Sequence, residues 1–140
     1  MNAAYLAYVA LGQTLAAQRG LVWALPLEPD GRVRKGHGWN LSALAGDVPP
    51  PVHYLNHLGR DAKMLKALAE QSKELAPAAL SAAWQDVIKA AVLEQLLVKR
   101  NTTGHIVSNI VRPLRVLATC LPGQEPWQLT TQDGHHAVQL

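Results

Sequence analysis

The chain has 140 residues, 49% of them apolar, a formal net charge of +3 and a single cysteine. That length serves one domain, or one domain with an appended N-terminal layer, and buries a core without disulfide or metal support. One thiol makes no internal bridge, so Cys120 reads as a small apolar residue rather than a nucleophile, and the modest charge does not by itself announce a nucleic-acid partner.

The excess of Ala and Leu over β-branched residues, with no Phe, favours helix over sheet. Residues 2–18 are apolar, but no Lys or Arg precedes them, Tyr5 and Tyr8 interrupt them, and they are too few to span a bilayer. They predict a helix from about Ala3 to Gln18, packed on the protein or on a partner and capped by Gly20 in the left-handed region. A cytoplasmic protein without a membrane segment is the expectation.

From residue 21 to 48 the helical pattern lapses among prolines and glycines. Asp30 and Gly31, between Val22-Trp23-Ala24-Leu25 and Arg32-Val33-Arg34, read as a hairpin turn. Arg32, Arg34, Lys35 and His37 make its tip basic, either a solvated loop or a phosphate contact, and Trp39 and Leu41 should pin the return to the core. Pro49, Pro50 and Pro51 stop any element. A short helix over residues 51–58 is expected next, broken at Gly59 and resuming from a cap at Asp61 to Leu75. Met64, Leu65, Leu68 and Leu75 would form its inner stripe, with Lys63, Lys66, Glu70 and Lys73 elsewhere. His53 and His57 would then share a helix face. Two imidazoles without a carboxylate or thiol make a poor metal site, and the adjacent His135 and His136 a poorer one, so neither metal nor cofactor is expected.

In the second half Ser81 should cap a helix running to about Val98, with Trp84, Val87, Ile88, Ala91, Val92 and Leu96 as its apolar stripe. Lys99 and Arg100 suit the negative end of its dipole. Thr102 or Thr103 should cap a further helix to about Thr119, with Ile106, Ile110, Leu114 and Leu117 inward. Pro113 lies inside it and must bend it near Arg112. A loop over residues 121–127 follows, and Thr130 with Asp133 resembles a capping box opening a last helix. Between Glu94 and Glu125 the chain carries no acidic residue, while Lys99, Arg100, Arg112 and Arg115, with His105 among them, fall inside that window. Such a one-sign stretch suits a surface facing phosphate, because each neutralised phosphate releases counterions; a solvated basic face is the alternative.

The run Leu80-Ser81-Ala82-Ala83-Trp84, the later Asn101-Thr102-Thr103-Gly104-His105-Ile106, the stretch 110–118 and then Pro126-Trp127-Gln128-Leu129-Thr130 resemble the core-binding domain of tyrosine recombinases, the phage-type integrases. That family has an aromatic residue on its first helix, a Thr-led second helix and a Leu-Thr-x-x-Asp element opening the third. The resemblance covers roughly residues 78–140. It implies an all-α fold: a small, SAM-like, incomplete helical bundle over 78–140, with residues 1–77 an N-terminal extension of helix, basic loop and helices. It implies double-stranded DNA as partner. By their charge, or as short polar groups at a helix start, Lys99, Arg100, Thr102, Thr103, His105, Asn109, Arg112 and Arg115 are the residues expected to meet it.

The family's fourth helix and its catalytic domain are not matched here. None of Tyr5, Tyr8 and Tyr54 stands in an Arg-His-x-x-Arg context, so the chain is expected to be a non-catalytic portion of a protein that recombines DNA. The apolar groove that a fourth helix would cover is expected to receive the helix over residues 3–18, from its own chain or from a second copy. Two other classes compete. A helical protein-interaction module would use that first helix and the Trp-bearing loop; a small-molecule enzyme finds no paired carboxylate, nucleophile–base pair or phosphate loop.

Overall fold

The computed structural model describes residues 2–46, 53–71, 78–121 and 123–128. These form a mostly helical small domain with one short antiparallel strand pair. Helix α1 spans Ala3–Gln18, as the apolar run predicts. The Asn2 side chain accepts from the Tyr5 N–H at 2.8 Å, occupying one of the donors a helix start leaves free. At its other end Gly20 takes φ +67°, and the N–H groups of Leu21 and Gly20 return to the carbonyls of Ala16 and Ala17, a Schellman stop.

Helix α4, Ala82–Leu93, is the centre of the domain. Ser81 caps it through the Trp84 N–H. Trp84, Ile88 and Val92 are buried on one side and Lys89, Ala90 and Leu93 on the others. A helix apolar on nearly all sides needs neighbours all round, and α1 is one of them. It packs on α4 within the same chain, inward through Val9, Gly12 and Ala16. A Cβ at Gly12 would stand 2.6 Å from that of Ala90, so the two backbones approach as closely as a missing side chain permits.

The described residues from 21 to 60 are mostly short extended runs. Glu28 donates to the Arg32 carbonyl at 2.7 Å and Leu27 bridges Val33, so the hairpin pairs residues 26–28, rather than 22–25, with 32–34. Gly31, at φ +88°, turns it. Strand β1, Trp39–Asn40, pairs with β2, Tyr54–Leu55, and the short helix α2, Leu41–Ala45, follows β1 from a cap at Asn40. Trp39 and Leu41 are buried and hold this return to the core.

The helix expected over residues 51–58 is not formed in its described part, which is extended. Leu55 and Leu58 are both buried although three residues apart, a spacing that suits one face of a helix and that a strand sends to opposite sides. The backbone decides: Val33 donates to the Asn56 carbonyl and Leu58 to that of Gly31, so this run satisfies polar groups that the hairpin would otherwise bury unpaired. At Gly59 a Cβ would lie 2.5 Å from the Asp30 carbonyl oxygen, another crossing that only glycine allows. In consequence His53 and His57 do not share a helix face. The His53 Nδ1 lies 2.9 Å from the Thr103 hydroxyl, and the His57 Nδ1 accepts from the Gly59 N–H at 3.0 Å. Among the described residues no group of three His, Cys, Asp or Glu side chains converges to hold a metal ion.

Helix α3, Ala62–Gln71, starts from Asp61, whose carboxylate accepts from the Met64 N–H. It lays Met64, Leu65 and Leu68 half-buried on its inner side, with Lys63, Lys66 and Glu70 exposed, and it packs on the last long helix, Arg112–Cys120. Helix α4 runs on through a π-turn, Glu94–Val98. After the turn at 99–102 comes one continuous helical stretch: α5, Thr103–Ile106, a second π-turn, Val107–Val111, and α6, Arg112–Cys120. The disturbance expected at Pro113 takes the form of this π-turn. The widened turn, closed by the Arg112 N–H on the Val107 carbonyl, lies immediately before the residue that cannot donate. One apolar cluster joins Ala16, Leu25, Val33, Leu55 and Leu58 to Trp84, Ile88, Leu96 and Ile106, so the core draws on both sides of residue 78. No helix among the described residues is long and apolar enough to cross a membrane. The proline run at 49–51, Lys73, Leu75, the capping box at Thr130 and Asp133, and His135 and His136 lie outside the described residues.

Candidate nucleic-acid interface

The basic stretch read from the sequence becomes a turn and one face of a helix. Lys99 closes the π-turn after α4, and its ammonium lies 3.8 Å from the Glu94 carboxylate with both groups partly in water. Arg100 takes φ +58°, the left-handed conformation that ends a helix and that a residue with a Cβ adopts only at a cost. Asn101 ties the turn back through its N–H to the Gln95 carbonyl and through its amide to the Gln95 side chain. Thr102 is the cap of α5, accepting from the His105 N–H at 3.3 Å.

From that cap, His105, Ser108, Asn109 and Arg112 follow on successive turns and all are exposed. His105 and Asn109 touch each other, ring nitrogen to amide, at 3.2 Å. The face therefore carries hydroxyls, an amide, an imidazole and a guanidinium, and no carboxylate. Two other residues of the sequence-derived set are placed differently. Thr103 is buried, its hydroxyl at the His53 ring, so it anchors the start of the helix beneath the face. Arg115 is half-buried and gives its Nε–H to the Gly59 carbonyl at 2.9 Å. Burial lowers the pKa of its guanidinium, Asp61 offsetting and Arg112 adding to the effect, yet an arginine keeps its charge through such a shift.

That bond belongs to a clamp. Arg60 donates to the Ala118 carbonyl at 2.9 Å, favourable near the negative end of α6, and the Asp61 N–H donates to the Thr119 hydroxyl at 2.9 Å. Fastened in this way, residues 54–61 lie alongside the helical stretch 107–115 and leave a groove of about 250 Å³ between them. Tyr54, Asn56 and His57 line one wall, Ser108, Arg112 and Arg115 the other, with Asp61 at its end. Burial, then the nearby Arg115, pushes the His57 pKa down, so its imidazole stays neutral and its Nδ1 remains free to accept from Gly59. Tyr54, Asn56, His57 and Ser108 do not stand out as DNA contacts in the sequence. Ser108 follows from the 3.6-residue period once His105 and Arg112 are placed, whereas the other three depend on a long-range pairing. Comparison of the chain with protein-family models, with curated proteins and with solved structures finds no match.

Proposed function

We propose that this chain is a non-catalytic module that binds double-stranded DNA, of the kind that the N-terminal portion of a tyrosine recombinase supplies in site-specific recombination. On this reading its helices are an incomplete SAM-like core-binding bundle of a cytoplasmic protein. The observation that carries it is the exposed, carboxylate-free face of Thr102, His105, Ser108, Asn109 and Arg112 beside Lys99 and Arg100. Short polar groups and cations on one helix face are the means by which a protein takes hold of phosphate oxygens and reaches base edges. Cutting DNA needs a nucleophile among cations, which the readable Tyr contexts do not supply. Fluorescence anisotropy with a labelled random duplex tests the proposal. Binding in the micromolar range that weakens steeply with salt is expected, since a few cations neutralise a few phosphates; no binding to any duplex at low salt overturns it.

A second reading, a protein-interaction module, has one observation in its favour. The outer face of α1 exposes Leu6 and Leu11 among alanines, with no charged residue before Arg19. A self-associating or partner-binding surface of this kind would hold its affinity as salt rises, where DNA binding would lose it.

A further inference from the structure

We infer that the DNA track does not end at the helix face but continues across Tyr54 and Asn56 onto the basic hairpin, so that Arg32, Arg34 and Lys35 hold phosphates of the same duplex. The inference rests on the DNA-binding reading and extends it to a surface some seventy residues away in sequence from the Thr-led helix. A second groove, of about 380 Å³, is lined by Arg32, Val33, Arg34, Lys35, Gly36, Gly38, Tyr54 and Asn56. Tyr54 and Asn56 also line the groove against α6, so the two depressions meet at these residues.

Cations outnumber carboxylates along this path. Among the described residues, Arg32, Arg34, Lys35, Arg112 and Arg115 line the two grooves, against Asp61 as the single carboxylate lining either. Asp61 is engaged in capping α3. The hairpin arginines do have acidic neighbours, Asp30 at 3.4 Å from Arg32 and Glu28 at 3.6 Å from Arg34. Both pairs are well exposed, and ion pairs in that setting hold so weakly that a phosphate displaces them readily. Lys35 makes no ion pair among the described residues. Gly36, at φ +87°, has open space where its Cβ would be, so that part of the floor lets a phosphate close to the backbone. Tyr54, exposed where the grooves meet, presents a phenol within 3.4 Å of the Asn40 amide and able to donate outward.

The test uses the full chain and a labelled 20-base-pair random duplex, titrated across a range of salt concentrations. Replacing Arg32, Arg34 and Lys35 together by alanine should weaken binding at least tenfold at low salt and make the log–log salt slope shallower by about three, near one for each phosphate no longer neutralised. Wild-type affinity and slope in that variant, while Arg112→Ala weakens binding, overturn the track and leave the DNA reading standing. No binding by the wild-type chain removes the DNA reading and the track together. Should the triple variant melt early, two milder substitutions carry the test with opposite signs. Lys35→Ala should bind more weakly and Glu28→Gln, which frees Arg34, more tightly; both at wild-type affinity overturn the inference.

Discussion

Arg115 gives its Nε–H to the carbonyl of Gly59 at 2.9 Å, so a side chain on the edge of the basic groove also holds one of the groove's two walls in place. Arg112, one turn earlier, is exposed and free of such a tie among the described residues. The two arginines should therefore separate by experiment. Arg115→Ala leaves a buried carbonyl without its charged donor and should cost about 2 kcal/mol of stability, the usual scale for such bonds. Arg112→Ala should stay within about 0.5 kcal/mol of wild type while weakening DNA binding, as surface changes away from packing do. Urea unfolding of each variant, read beside anisotropy, checks this; equal stability of the two would mean that the Gly59 bond holds nothing.

The crossing of α1 and α4 at Gly12 and Ala90 predicts the opposite of the ordinary helix rule. Alanine in place of glycine inside a helix normally gains up to about 1 kcal/mol. Here the added methyl would meet the Ala90 Cβ at 2.6 Å and the Trp23 ring at 3.0 Å, and both helix backbones would have to part. Overpacking of that kind costs about 1–3 kcal/mol, so Gly12→Ala should lower Tm and disturb the near-UV signal of Trp23. A Tm at or above wild type would show that α1 is not seated on α4 in solution.

The sequence makes legible what local chemistry determines. The bounds of α1, the Ser81 and Asp61 caps, the Trp84-Ile88-Val92 stripe and a threonine cap at 102 or 103, taken by Thr102, each follow from side chains within a turn of one another. Residues 53–58 mislead because Leu55 and Leu58 are spaced for one face of a helix, whereas their conformation is decided by the hairpin about 25 residues earlier. The π-turns leave no compositional mark apart from Pro113 beside one of them. In the candidate site, the exposed helix face is legible from its charge and spacing. The burial of Thr103 under His53 and the use of Arg115 as a tie are not, since both partners arrive from the extended segment.

His57 supplies a pH signature. Its folded pKa lies below 6.5 because burial and Arg115 disfavour the imidazolium, and protonation would remove the acceptor that the Gly59 N–H uses. As pH falls from 6.5 toward the lowered folded value, the unfolded chain binds more protons than the folded one, and stability declines across that window. Above 6.5 the contribution is complete. His57→Asn, which keeps an acceptor near the Nδ1 position and does not titrate, should lose this part of the acid slope. Denaturation midpoints of both proteins between pH 5 and pH 7.5 measure it, and parallel curves would contradict the assignment.

The chain leading into the basic hairpin is held to α4 at Trp23. Lys89 is buried on α4, donates to the Trp23 carbonyl at 2.7 Å, lies 3.2 Å from the Asp86 carboxylate and stands 4.5 Å from the centroid of the Trp23 ring. Asp86 accepts from the Trp23 indole N–H at 3.0 Å, so one carboxylate, one ammonium and one indole close a small network that fastens residue 23 to α4. Two effects oppose each other in Lys89→Met. Burial lowers the lysine pKa, which means that keeping the charge inside carries a cost and that methionine relieves it. Against this, the Trp23 carbonyl loses its donor, Asp86 loses its cation and the indole loses its cation–π partner. Asp86 is still partly open to water, so water can take up some of its loss, and a net destabilisation of about 1–3 kcal/mol is expected rather than the larger penalty of a fully buried orphan charge. Because the unfolded lysine holds its proton to higher pH than the folded one, wild-type stability should also rise as pH climbs from the lowered folded pKa toward 10.5, and the methionine variant should lack that rise. Urea unfolding followed by tryptophan emission at pH 7 and pH 9.5 tests both parts. A variant as stable as wild type at pH 7, with unshifted emission, would show that the hairpin is anchored by its apolar contacts alone.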